Sequence, residues 1–75
     1  MTDEEREKVR QRMSVMSEGQ QSIVAMKFLS EEDEEKAHES GDIIEATMKA
    51  AEEEGRIEQL NHEIRFVEAM GLMMR

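Results

Sequence analysis

The chain has 75 residues, carries 19 Asp plus Glu against 10 Lys plus Arg for a formal net charge of −9, and contains no cysteine, proline, tryptophan or tyrosine. That length holds one small domain, and the missing cysteine excludes disulfides, thiolate nucleophiles and cysteine-ligated zinc or iron–sulfur centres. Val, Ile, Leu and Phe supply only 14 positions, against eight Met and six Ala, a composition at the border of disorder for a strongly charged chain and one that predicts a core completed by self-association.

The acidic start Met1-Thr2-Asp3-Glu4-Glu5 predicts no signal peptide, and no apolar run approaches the ~18 residues of a membrane span, so a cytoplasmic protein without a membrane partner is expected. Glu, Met, Ala, Gln, Lys and Arg dominate, which predicts an all-α fold. Thr2 and Glu5 stand at capping-box spacing, so a first helix is expected from residue 3. Its apolar residues Val9, Met13, Met16, Ile23 and Val24 form one helical stripe interrupted by Gln20. Gly19 loosens this helix by about 1 kcal/mol relative to Ala. The reading keeps it continuous over residues 3–29.

Ser30-Glu31-Glu32-Asp33 repeats the capping signature and opens a second, acidic helix over residues 31–54. Within it Ala37, Gly41, Ile44, Met48 and Ala51 alternate at steps of 4 and 3, while Asp42 with Glu45 offers a competing restart after Ser40-Gly41. A C-terminal helix is expected over 56–74, where Ile57, Leu60, Ile64, Val67, Gly71 and Met74 alternate at steps of 3 and 4. The same register runs backwards through Glu53, Ala50, Ala46 and Ile43. The pattern therefore suits either one helix from Asp42 to Met74, on the order of 50 Å long, or a break at Glu54-Gly55. A helical hairpin or a three-helix bundle follows.

Charge is segregated. Residues 1–29 and 55–75 are each neutral, whereas residues 30–54 carry eleven acids against Lys36 and Lys49 and hold the whole net charge. Glu31, Glu34, Glu35, Glu39 and Asp42 are the candidate acidic surface. It reads first as a solubilising face. A functional reading makes it a phosphate-imitating surface for a basic nucleic-acid-binding protein. The last ten residues contain seven apolar side chains, more than one neighbouring helix covers, so Phe66, Val67, Met70, Met73 and Met74 are the candidate partner-binding residues.

No Gly-rich phosphate loop or Ser/His/Asp arrangement can be assembled, so no catalytic residue, no cofactor and no enzyme activity is expected. Direct nucleic-acid binding is not expected either: Arg6, Lys8, Arg10 and Arg12 alternate with acids and no Tyr or Trp is present for stacking. Glu35 and His38 show the Glu-x-x-His step used by ferritin-like di-metal proteins. A facing carboxylate is missing near position 25, so no metal site is assigned. The expected protein is a non-catalytic helical interaction or regulatory module, assembled as a dimer through apolar helix faces. An acidic inhibitor or nucleic-acid mimic is the alternative, and a ferritin-like metal-binding protein a distant third.

Overall fold

Helix boundaries follow from the caps. Thr2 lies in extended geometry and its hydroxyl accepts the Glu5 amide at 3.1 Å, which opens α1 (Asp3–Ser14) with Asp3, Glu4 and Glu5 at the positive end of the macrodipole. In the computed structural model, which describes the backbone of residues 1–73 and the side chains as far as Gly71, the chain then turns at Val15 and Met16. Ser17 opens α2 (Glu18–Ala25): its hydroxyl accepts the Gln20 amide at 3.2 Å, and Gln20 Oε1 accepts the Ser17 amide at 3.0 Å. This is a complete capping box. Gln21 secures the other side of the corner, where its amide nitrogen donates to the carbonyls of Met13 at 2.9 Å and Met16 at 3.4 Å. The single helix expected over 3–29 is thus two, because Gln20 and Gln21 between them satisfy backbone groups that a break would otherwise orphan.

Ser30 opens α3 (Glu31–Ser40) by accepting the Asp33 amide at 3.2 Å. It ends at Gly41, φ 74°, where the Gly41 amide donates to the His38 carbonyl at 3.3 Å and the Asp42 amide to the Ala37 carbonyl at 3.1 Å. That pair of bonds is a Schellman motif, which needs a residue tolerant of left-handed backbone. The motif recurs after α4 (Ile43–Glu53). Gly55 has φ 68°, its amide reaches the Glu52 carbonyl at 3.1 Å, and the Arg56 amide reaches the Ala51 carbonyl at 2.8 Å. Then α5 runs over Ile57–Met73. The acidic helix expected over 31–54 is therefore split into α3 and α4, and the break at Gly55 separates α4 from α5. The protein is all-α, with five helices and no strand among the described residues, where the sequence pattern predicted two or three longer helices.

α4 is the central element. It touches every other helix, α1 and α2 pack on both α4 and α5, and α3 packs on α4. The main core joins Val9, Met13 and Met16 to Val24, Phe28, Met48, Ala51, Leu60, Ile64 and Val67. Methionine fills positions that Leu or Ile takes in a richer sequence, and its unbranched thioether adapts to the irregular space between short helices. Met13 and Met48 are wholly enclosed. A smaller cluster of Ala25, Ala37 and Ile43 seats α3. Thr47, also enclosed, donates its hydroxyl proton to the Ile43 carbonyl at 2.7 Å. α5 passes the first turn of α2 so closely that a Cβ on Gly71 would lie 2.6 Å from Gln20 Nε2. No described helix is long and apolar enough to cross a membrane. The described core is buried by helices of one chain, so the apolar surface left to a second copy lies outside it.

Candidate functional site

Three arginines on α1 determine which acids remain available. Arg6 clasps Glu52 of α4, with Nη2 at 2.8 and 3.1 Å from its two oxygens and Nε at 3.3 Å from the first. Arg10 pairs with Glu45 of α4 and with Glu7 of its own helix, and Arg12 with Glu68 of α5. These hydrogen bonds hold the Arg6 and Arg10 guanidinium groups firmly charged, and the bond from Arg10 pulls the Glu45 carboxyl below the usual glutamate range. Glu54 pairs with Arg56 at 2.8 Å. Arg56 also donates to the Lys27 carbonyl at 3.1 Å and stands over the Phe28 ring, 4.6 Å from its centroid, tying the α4–α5 corner to the end of α2.

The α3 segment receives no such neutralisation. Its contacts are local ones: Lys36 pairs with Glu32 at 3.4 Å, and His38 Nε2 lies 3.5 Å from the Glu34 carboxylate. Glu31, Glu35, Glu39 and Asp42 are exposed as expected. Glu34 is not: its side chain is only 15% exposed beside His38. Met26, by contrast, stands 64% exposed, and with Glu31, Glu34 and Glu35 it lines an open groove of about 450 Å³.

His38 Nε2 lies 2.7 Å from Ser22 Oγ, which places a serine, an imidazole and a carboxylate in sequence. In a hydrolytic triad the hydroxyl meets one ring nitrogen and the acid the other, so that the acid orients the base. Here Ser22 and Glu34 both approach Nε2, and the carboxylate competes with the hydroxyl. The contact links α2 to α3. The Glu35–His38 step is not continued either, since among the described residues no group of three or more His, Asp and Glu converges as a metal site would require.

Of the candidate partner-binding residues, Phe66 is 55% exposed and Met70 half-buried on the same stripe of α5. Val67 belongs elsewhere. It is 1% exposed within the chain's own core, because it follows Leu60 and Ile64 on the seam that the other helices cover. The expectation that a single neighbouring helix of the same chain packs on α5 is corrected at the same point: α1, α2 and α4 all do. The Met73 side chain and Met74 lie outside the described residues. Among the described residues the other large apolar side chains at the surface are Val15, Ile23 and Met26: the pattern of the sequence singled out neither Val15 nor Met26, and it placed Ile23 on the inward stripe of one continuous helix, a stripe that the corner at Ser17 breaks. No family model, curated protein or solved structure matches this chain. Its functional reading therefore rests on these residues alone.

Proposed function

We propose that the chain is a non-catalytic helical interaction module that forms a dimer through the outward stripe of α5, with Phe66 and Met70 as the contact residues. The observation that carries this reading is Phe66, one of two aromatic residues in the protein and 55% exposed on a helix whose other faces are already packed. A solvent-facing phenyl ring gains by burial against a copy of itself, and aromatic side chains anchor interfaces more often than they decorate free surface. Met70 adds an adaptable flank. Replacing Phe66 or Met70 by Glu places a charge at the centre of that contact, which dissociates the pair. The test is mass by light scattering with helicity followed by circular dichroism: a wild-type chain that stays at 8.7 kDa at every concentration refutes the dimer.

A second reading has its own support. The exposed carboxylates of Glu31, Glu35 and Glu39 on α3, set against the arginine-held Glu45 and Glu52 of α4, favour an acidic face directed at a basic partner such as a nucleic-acid-binding protein. Changing Glu31, Glu34, Glu35, Glu39 and Asp42 to their amides abolishes capture of such a partner on this reading, and leaves the α5 dimer intact on the first.

A further inference from the structure

Two patches on this chain match each other in charge. The first is an open groove of about 360 Å³ between α1 and α5. Val9, Ile57 and Met1 supply its apolar lining, and Lys8, Arg12 and Arg65 its charge, with Glu5 the one acid that lines it. Arg12 is shared with Glu68, while Lys8 and Arg65 enter no ion pair among the described residues. A chain with a net charge of −9 thus keeps one locally cationic groove with an apolar lining. The second patch is the groove of Met26, where one protruding apolar side chain is accompanied by Glu31, Glu34 and Glu35.

We infer that the α1–α5 groove of one copy receives the Met26 patch of a second copy. Charge complementarity selects this occupant, and spacing supports it. Glu31 and Glu35 stand one helical turn apart on α3, as Lys8 and Arg12 do on α1, so two rows of opposite charge share a repeat of about 6 Å. Met26 is unbranched and flexible enough to settle on the partly exposed Met1 and Ile57. The contact joins two different patches, which makes it heterologous: each copy retains a free groove or a free acidic patch, and assembly continues beyond two chains unless it closes into a ring. It uses neither Phe66 nor Met70 and stands independently of the α5 dimer.

The test is sedimentation of the full chain in a Phe66→Gln background, which removes the aromatic contact of that dimer. At ~0.05 M salt the average mass is expected to rise with concentration past two chains, and to fall back towards 8.7 kDa at ~0.5 M salt, where the Debye length drops to a few ångströms. Arg65→Glu and Glu35→Lys alter exposed residues and leave the helicity unchanged, yet each weakens assembly by about tenfold or more. Mixed in equal amounts, the two variants recover association, because the intact acidic patch of the first fits the intact groove of the second and the two reversed charges are again opposite in sign. Unchanged assembly in either single variant, or a mixture that stays monomeric, overturns the inference. So does a chain that remains at 8.7 kDa in low salt; if that chain binds a polyglutamate peptide through Arg65, the groove belongs to a foreign acidic segment. Restoring Phe66 in the same series reads the α5 dimer separately, since that contact withstands salt and is indifferent to Arg65.

Discussion

α3 and α4 arise from one acidic stretch of sequence, and the fold treats them in opposite ways. α4 buries Ile43, Thr47, Met48 and Ala51, and its Glu45 and Glu52 are held by arginines 35 and 46 residues away. α3 buries Ala37 alone, and among the described residues the one Lys or Arg that meets its carboxylates is Lys36 of the same helix. Glu45 and Glu52 of α4 are thus part of the packing of α1, whereas Glu31, Glu35 and Glu39 of α3 face solvent and whatever approaches through it. Net charge per segment does not separate the two cases. What separates them is which segment lies opposite a row of arginines.

The comparison is broken most forcefully from the α4 side. Met48→Ala empties an enclosed site at the meeting point of the helices, and such truncations remove about 2–5 kcal/mol. The total stability of a chain this short is of similar size, so thermal and denaturant melting should show the variant largely unfolded. Next come the glycines that bound α4. Alanine at Gly41 or Gly55 meets left-handed backbone and costs about 1–2 kcal/mol. Hydrogen exchange should then distinguish them: Gly55→Ala lowers protection throughout, because its corner carries Arg56, while Gly41→Ala exposes mainly α3.

The ion pairs give smaller effects. Arg6→Gln and Glu52→Gln each lower the thermal midpoint, and the double variant loses little more than the worse single one, the signature of a coupled pair. Acid acts through Glu45. Its folded-state pKa lies below the unfolded value, so the Arg10 pair contributes fully above the ordinary glutamate range, and that contribution disappears as pH falls through the lower folded value. Glu45→Gln should therefore reduce the midpoint at pH ~7 and converge with the wild type on acidification below the lowered folded value. Smallest of all is the response of α3: Glu31, Glu35 and Glu39 changed together to Gln leave the midpoint almost unmoved. A large loss there would show that α3 is held by its carboxylates and would remove the contrast with α4.

Much of this was legible in the residues. The all-α fold, the Thr2 and Ser30 caps, and the burial of Val9, Met13, Met16, Leu60 and Ile64 follow from local chemistry and from spacing along a single helix. The corner at Ser17 was legible too, since Ser-x-x-Gln is a capping box, but a continuous apolar stripe across it masked the signal. Val67 shows the limit of the stripe argument. Periodicity places it on the same seam as Leu60 and Ile64 without saying whether the chain's own helices or a partner covers that seam.

Sequence alone therefore determined the helical state of the chain and the residues able to form a core, and it offered breaks at Gly41 and Gly55 without choosing them, because caps and apolar spacing act over one or two turns. Tertiary structure decided the rest. It chose the arginines of α1 as partners for the acids of α4, left Met26 and Phe66 outside the core, and opened a cationic groove between α1 and α5. Each of those outcomes depends on which helices meet after two sharp glycine turns, and a local pattern contains no information about contacts formed across 35 residues or more.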